Sequence, residues 1–314
     1  MGILPARGVP HNTRKCCNIP DNTQANTPGN IDDYNLAIKI NPNDADAYHN
    51  RGNVRYDLGD KQGAIDDYNQ AIKINPNYAL AYYNRGNVRN ELGDKQGAIS
   101  DFNQVIKINP NYAYAYYVRG IVRNDLGDKQ GAIDDFNQAI KINPNLAQAY
   151  YNRGIVRYEL GDKQGAIDDY TQAIKINPNL ALAYSNRGIV YHQQGNYIAA
   201  ISEYNQAIAK DANSLAAVNN IGLIKYEQGD KETAIKQWQK AMKIDNKSAE
   251  PILALAVALY TKGEQQQAYQ LAETALKLDK NFADTNFLKK NLWGDKIIAD
   301  AQKLLSTLPR KLQQ

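Results

Sequence analysis

The stretch Leu-Gly-Asp-Lys-Gln-Gly-Ala-Ile at residues 58–65 recurs from residues 92, 126 and 160, each time after a step of 34 residues. A second stretch, Ile-Lys-Ile-Asn-Pro-Asn at residues 72–77, recurs with the same step. A fixed period of this length is typical of an array in which each unit buries one face on its neighbours. With Ala45 as the first residue, seven full units cover residues 45–78, 79–112, 113–146, 147–180, 181–214, 215–248 and 249–282.

Each unit is predicted to form two helices. In the second unit, the first helix has small and apolar residues at helical spacing, namely Ala79, Ala81, Tyr82, Gly86, Val88 and Leu92. Gly93 then ends this helix, and Asp94 can cap the next one. The second helix is expected to bury Ala98, Ile99, Phe102, Ile106 and Ile108. Pro110 closes the unit because proline cannot continue a helix. The sequence therefore predicts an all-α fold of helix-turn-helix units.

The pattern weakens at both ends of the array. Residues 28–44 contain one second helix without a first helix before it, and the resulting N-terminal edge is a candidate surface for self-association. Residues 1–27 are rich in Pro, Asn and Thr and lack an apolar period, so we expect a disordered tail. Residues 283–314 are interpreted as a degenerate eighth unit and C-terminal cap, in which Ala299 takes the small-residue position.

Composition and charge exclude several classes of protein. The net charge of +4 is small for 314 residues and does not call for nucleic acid or a membrane as partner. No apolar run is long enough to span a bilayer, and no signal-peptide core is present, so we expect a cytoplasmic protein. The only cysteines are the adjacent Cys16 and Cys17, which exclude a disulfide framework and form no metal-site spacing.

Catalytic residues are not evident in the sequence. The three histidines are His11, His49 and His192, and His192 is interpreted as a surface variant because sister units have Tyr or Asn there. Paired acids such as Asp66 and Asp67 recur in register, which indicates structure rather than a unique catalytic pair. No nucleotide-binding fingerprint occurs. We therefore predict no enzyme activity and no cofactor.

Several residues of the unit resemble the tetratricopeptide-repeat pattern: a tyrosine near its start, then Gly86, Ala98, Phe102 and Pro110. The resemblance covers residues 28 to about 306. The recurring Asn-Arg-Gly and Gly-Asp-Lys sequences are also similar to those of repeat arrays common in cyanobacteria. The resemblance implies a right-handed superhelical solenoid whose concave groove is lined by the first helices and binds peptides.

Two columns of arginine recur along the first helices. The first is Arg51, Arg85, Arg119, Arg153 and Arg187. The units that contain it also have an acid on the second helix, and both charges are absent from units six and seven. We therefore predict an ion pair within each unit, worth about 0.2–1 kcal/mol if exposed. The second column has no evident partner, and its role stays open: Arg55, Arg89, Arg123 and Arg157.

In the first helix of a unit, positions 3, 10 and 14 define the buried direction, so positions 2, 5, 6, 9, 12 and 13 form the opposite stripe. In the family, this stripe lines the groove. Its sixth position holds a ladder of side-chain amides, which can pair with a peptide backbone as similar ladders do in the family: Asn50, Asn84, Asn152, Asn186 and Asn220. Neighbouring rings and apolar residues complete the predicted site: Tyr83, Tyr117, Tyr151, Ile155 and Ile189. The alternative is that these side chains form hydrogen bonds and packing contacts within the scaffold itself.

The sequence thus predicts a non-catalytic scaffold that binds an extended peptide or a partner protein in the groove. One alternative is that the chain is the regulatory half of a larger enzyme. Nucleic-acid binding through the second arginine column is a weaker alternative, because the net charge is nearly neutral and no periodic base reader occurs.

Overall fold

The computed structural model of the chain describes residues 30–308, which form α-helices, short turns and one 3₁₀ helix. No β-strand occurs in this range. The predicted disordered tail at residues 1–27 lies outside it. The helices group into two compact units, with the boundary between Leu160 and Gly161. We refer to residues 30–160 as the N-terminal unit and to residues 161–308 as the C-terminal unit.

The N-terminal unit, as far as the structure describes it, begins with α1 (Ile31–Ile40), which packs against the next helix, and continues with helices of 13 and 14 residues in turn. These are α2 (Ala45–Asp57), α3 (Lys61–Ile74), α4 (Ala79–Glu91), α5 (Lys95–Ile108), α6 (Ala113–Asp125), α7 (Lys129–Ile142) and α8 (Ala147–Glu159). Within this unit, α2, α4 and α6 each pack against the second helix of their own repeat, and every first helix packs against the second helix before it.

The C-terminal unit repeats this arrangement and then departs from it. Its helices are α9 (Lys163–Ile176), α10 (Ala181–Gln193), α11 (Tyr197–Lys210), α12 (Leu215–Glu227), α13 (Lys231–Ile244), α14 (Ala249–Thr261), α15 (Gln265–Leu278), α16 (Thr285–Lys290) and α17 (Asp295–Ser306), with a 3₁₀ helix at Lys280–Ala283. The main contacts of α17 are with α14 and α12, which are both first helices. Ala299 is exposed and Ala301 is fully buried, so Ala299 does not take the small-residue position expected from the sequence.

The turns follow from a few local interactions. The carboxylate of Asp94 accepts the backbone N–H of Gly97 at 2.9 Å and so caps α5. Gly93, between α4 and α5, has φ of +87°, a conformation that costs a residue with a side chain free energy. The Asn109 side chain accepts the N–H of Asn111 at 3.1 Å where the repeat closes.

The core of repeat two lies between its two helices. Ala98 and Phe102 are fully buried, and a Cβ atom on Gly86 would lie 2.8 Å from Cε1 of Phe102. Leu92 differs from the sequence prediction, since it is 52% exposed. It is the C-cap residue of α4, so it follows the last helical turn and no longer faces the second helix. The leucines at the same position are exposed as well: Leu58, Leu126 and Leu160.

Candidate functional site

In repeats one, two, three and five, the arginine of the first column forms an ion pair within its repeat, as predicted. Arg85 donates from Nε and Nη2 to the two carboxylate oxygens of Asp101, at 3.0 and 2.6 Å. Equivalent pairs join Arg51 to Asp67, Arg119 to Asp135 and Arg187 to Glu203. The acid of the pair is buried, because Asp101 is only 2% exposed, so the value for an exposed pair does not apply. A bidentate ion pair between arginine and a buried carboxylate is stronger than an ion pair on the surface.

The second arginine column has a partner that the sequence did not reveal. Arg89 donates from Nη1 to the same carboxylate of Asp101, at 2.9 Å. Arg55 and Arg123 bind their repeats' buried aspartates in the same way, each at 3.0 Å. In these three repeats, the buried aspartate therefore lies between two guanidinium groups that are four residues apart on one helix. The spacing of four residues between the columns was the available signal, since residues i and i+4 share a helix face.

The first arginine column also links successive repeats. Nη1 of Arg85 donates to the amide oxygen of Asn69, on the preceding second helix, at 2.6 Å. The guanidinium carbon of Arg85 lies 5.4 Å from the ring centroid of Tyr82. Arg51 and Arg119 make the same contacts with their own neighbours. These arginines hold the scaffold together and are not placed to read an anionic ligand.

Two asparagines of the predicted ladder bind the preceding first helix. Nδ2 of Asn84 lies 2.9 Å from the amide oxygen of Asn53 and 3.0 Å from Nε2 of His49. Nδ2 of Asn152 donates to the Tyr117 hydroxyl at 3.1 Å. Within residues 30–308, the amide oxygens of Asn84 and Asn152 accept no hydrogen bond, and both side chains are half-buried. Each amide is thus fixed through its nitrogen, while its oxygen remains an acceptor.

The other members of the predicted site vary in their accessibility. Asn50 is half-buried, like Asn84 and Asn152, whereas Asn186 and Asn220 are buried. The amide of Asn220 donates to the Tyr204 hydroxyl at 3.3 Å. The remaining predicted residues are all buried and have little surface to offer a ligand: Tyr83, Tyr117, Tyr151, Ile155 and Ile189.

The tyrosine rings are covered by other aromatic side chains. The ring of Tyr83 lies 6.0 Å from that of Phe102 and 5.3 Å from that of Tyr112, and Tyr117 lies 6.2 Å from Phe136. These contacts join the first helix to its own second helix and to the turn before the next repeat. The structure therefore uses the rings of Tyr83 and Tyr117 in the scaffold.

Residues at position 2 of the first helix keep more accessible surface and differ from one repeat to the next. Asp46 is exposed, and the side chains at the same position in the following repeats are half-buried: Leu80, Tyr114 and Gln148. The alanine that these repeats share on the second helix is fully buried: Ala64, Ala98, Ala132 and Ala166. Sequence variation is thus found where a ligand could reach the side chain.

His192 is buried, so its interpretation as a surface variant is wrong. Its ring lies 5.6 Å from that of Tyr197 and 6.5 Å from that of Tyr204. Burial lowers the pKa of His192 to about 4, because removal from water disfavours the charged imidazolium. A neutral ring packed between aromatic residues is a structural histidine.

Between residues 30 and 308, no three His, Cys, Asp or Glu side chains are placed to hold a metal ion. The helices in this part of the chain are all too short or too polar to cross a membrane.

Comparison with known families agrees with this geometry. The sequence model described as TPR repeat matches residues 28–59, 52–93, 120–161, 156–195, 190–229 and 222–263. A second model, described as Tetratricopeptide repeat, matches residues 79–112. The chain belongs to the tetratricopeptide-repeat family. Such proteins bind protein or peptide partners, and an architecture of these repeats alone is typical of non-catalytic scaffolds.

Solved structures of other tetratricopeptide-repeat proteins share the fold. A crystal structure of MamA is 29% identical, with a TM-score of 0.50, and the alignment covers 54% of this chain and 92% of that one. YrrB, described as a TPR protein with an unusual peptide-binding site, is 23% identical, with a TM-score of 0.52 and coverage of 60% and 97%. A tetratricopeptide-repeat protein from Parabacteroides merdae is 16% identical, with a TM-score of 0.60 and coverage of 84% and 99%. A search of curated proteins found no match.

Proposed function

We propose that this tetratricopeptide-repeat protein is a non-catalytic scaffold that binds an extended peptide segment of a partner along the first helices of its N-terminal unit. The observation that carries the proposal is the arrangement of the asparagine amides. The side-chain nitrogens of Asn84 and Asn152 each bind the first helix of the preceding repeat, and their oxygens accept no hydrogen bond within the described residues. A fixed carbonyl oxygen is suited to accept a backbone N–H from a peptide.

Position 2 of these first helices supplies the means to choose among ligands. It carries an acid, an aliphatic chain, a phenol and an amide in four successive repeats: Asp46, Leu80, Tyr114 and Gln148. An extended peptide that passes over these helices meets a different side chain at each repeat. Asparagines then contribute orientation, while apolar contacts contribute most of the affinity.

The competing functions lose support at particular residues. Nucleic-acid binding depended on an unpartnered second arginine column, yet Arg55, Arg89 and Arg123 bind buried aspartates.

Self-association through the N-terminal edge remains a prediction, and the observation behind it is the exposure of Leu36 and Ile40 on α1. Sedimentation velocity of the wild type and of Leu36→Ser with Ile40→Ser tests it. Equal sedimentation coefficients at all concentrations would exclude this interface.

A displayed library of short random peptides tests peptide binding. We expect selected peptides to bind the wild type and to lose at least ten-fold in affinity against Asn50→Ala with Asn84→Ala and Asn152→Ala. The loss follows from removing three acceptors that orient the peptide backbone. Isothermal titration measures the affinity, and urea unfolding measures stability in parallel.

The matched control replaces three asparagines of the closing turns, Asn77, Asn111 and Asn145, with alanine. Their side chains are exposed, and it is their backbone N–H groups that bond within the turn. This control should bind like the wild type. Peptides that bind both triple variants equally, or a selection that yields no peptide, would contradict the proposed function.

A further inference from the structure

The C-terminal helix α17 lies on the first helices of the last two repeats. In the N-terminal unit, the helix that follows a second helix packs against it as the next first helix. By contrast, α17 packs mainly against α12 and α14, the first helices of repeats six and seven. The face that the first helices present is therefore covered here by a helix of the same chain.

One side of α17 makes this contact. Its buried residues follow helical spacing and belong to one apolar cluster with Leu223, Tyr226 and Val257: Ile297, Ala301, Leu304, Leu305 and the following Leu308. The opposite side is exposed to solvent: Lys296, Ala299, Gln302, Lys303 and Ser306. This arrangement is that of an amphipathic helix bound in a groove through anchors about one turn apart.

The N-terminus of α17 is held by a side chain of repeat six. Gly294, the N-cap residue, has no side chain to accept the first free N–H groups of the helix. The carboxylate of Glu227 accepts them instead, from Ile297 at 2.9 Å and from Lys296 at 3.3 Å. The Tyr226 hydroxyl donates to Asp300, one turn further on, at 2.8 Å.

Glu227 is available for this contact because its usual lysine is missing. In the N-terminal unit, the acid at position 13 pairs with a lysine at position 17 of the repeat before it. These pairs are Lys61 with Glu91, Lys95 with Asp125 and Lys129 with Glu159, at 3.1, 2.9 and 3.1 Å. The residue that corresponds to the lysine for Glu227 is Tyr197. The substitution leaves a carboxylate that can receive a helix N-terminus.

The connection before α17 is strained. Leu292 has φ of +68°, and it is the one residue other than glycine with positive φ between residues 30 and 308. A leucine in this conformation brings its Cβ atom too close to the following carbonyl oxygen. Release of α17 about this connection would relieve the strain, so the bound arrangement is held by the apolar contact and the Glu227 cap.

We propose that the face formed by α12 and α14 is a receptor for an amphipathic helix, and that α17 is its intramolecular, displaceable occupant. The external ligand is a helix of a partner protein with apolar residues at the spacing of Ile297, Ala301, Leu304 and Leu308 and an uncapped N-terminus for Glu227. Its residues belong to the C-terminal unit, whereas the residues proposed to bind a peptide belong to the N-terminal unit. A helix on a short tether has an effective concentration in the millimolar range, so α17 masks the site until it is released.

The test uses the full chain and a fluorescent peptide of residues 294–308 as the probe. In the chain, Gly294→Ala places a Cβ atom 2.2 Å from Cδ of Glu227, so the carboxylate must leave its capping position. The substitution leaves α12 and α14 unchanged. We expect the Gly294→Ala chain to bind the probe at least ten-fold more tightly than the wild type, as measured by fluorescence anisotropy. Hydrogen exchange of α17 in the same variant should become faster.

Two probe variants form a matched pair. Leu304→Asp in the probe, on the buried side, should abolish binding, and Gln302→Asp, on the exposed side, should leave it unchanged. A second chain variant, Leu304→Asp, releases α17 by another route and should also bind the probe. The proposal is overturned if either variant exposes α17 without gaining affinity. It is equally overturned if both leave α17 protected, or if release of α17 unfolds α12 and α14.

Discussion

Repeats two and seven contain helices of the same lengths but join them by different chemistry. In repeat two, Arg85 and Arg89 bind the buried carboxylate of Asp101. At the same three positions, repeat seven has leucines: Leu255, Leu259 and Leu271. Both repeats form a first helix of 13 residues and a second helix of 14. The buried ion pairs are therefore one of two solutions for this contact, and they do not determine the helix lengths.

The close contact between the helices shows the same exchange. In repeat two, Gly86 faces the ring of Phe102, so a small residue meets a large one. Repeat seven has alanine at both positions, Ala256 and Ala272, and both are fully buried. Ala98 and Ala268 are fully buried in the two repeats alike. What the repeats share is therefore a close and fully buried contact between the two helices, and not the particular residues that form it.

The largest effect is expected where a buried charge is left without its partner. Asp101→Leu introduces the residue found in repeat seven but leaves Arg85 and Arg89 facing it. We expect a loss of about 3 kcal/mol in the free energy of unfolding, because removal of one partner of a buried pair strands the other charge. Urea unfolding followed by circular dichroism measures the loss.

A triple variant separates lost packing from stranded charge. Arg85→Leu with Arg89→Leu and Asp101→Leu copies the leucine set of repeat seven into repeat two. If the two chemistries are equivalent, the triple variant recovers most of the stability that Asp101→Leu loses. A triple variant less stable than Asp101→Leu would show that the leucine set depends on other residues of repeat seven.

The second effect concerns the pH dependence of stability, in which repeat five should differ from the repeats of the N-terminal unit. Repeats two and three have Asn90 and Asn124 where repeat five has the buried His192. Because burial lowers the folded pKa of His192 to about 4, the unfolded chain binds a proton more readily below its ordinary pKa of 6.5. Stability from neutral His192 is complete above pH 6.5. It is lost as the pH falls towards 4, on the order of 3 kcal/mol at the lower limit.

His192→Asn should remove this part of the acid sensitivity. The measurement is the difference in unfolding free energy between the variant and the wild type at pH 7 and at pH 4.5. Carboxylates titrate in both proteins, so their contribution cancels in the comparison. An unchanged difference at the two pH values would show that His192 is as accessible to protons in the folded chain as in the unfolded one.

The repeat fold followed from the sequence because its signals are local and recur. Gly93 and Asp94 mark the turn between α4 and α5, and a step of 34 residues places the same signals in each neighbour. The ion pair of Arg85 with Asp101 could be inferred because both charges disappear together in repeats six and seven. The burial predicted for Leu92 was wrong, because helical spacing does not reveal that this residue lies beyond the last packed turn of the helix.

The position of α17 and the burial of Tyr83 could not be predicted from local, recurring signals in the sequence. The contact of Glu227 with Ile297 joins residues 70 positions apart, outside the period of the array, so no recurring pattern reports it. Tyr83 lies on the stripe opposite Ala81, yet the ring of Tyr112 from the next turn covers it. Spacing on one helix indicates direction, whereas accessibility depends on what the neighbouring repeat places there.

The smallest effect concerns the start of the second helices. In repeat two, the Asp94 side chain caps α5, whereas Glu264, the N-cap residue of α15 in repeat seven, forms no such bond. A longer side chain must bend back to reach the free N–H groups, which disfavours Glu at this position relative to Asp. Asp94→Ala should therefore cost about 1 kcal/mol, and Glu264→Ala should change stability by less than about 0.5 kcal/mol. The converse variant, Glu264→Asp, should gain up to about 1 kcal/mol by introducing the missing cap.

Hydrogen exchange in the first turn of each helix distinguishes a capping effect from a general loss of stability, because the N–H that the cap binds should change most. Equal losses for Asp94→Ala and Glu264→Ala would mean that the two repeats begin their second helices by the same interactions.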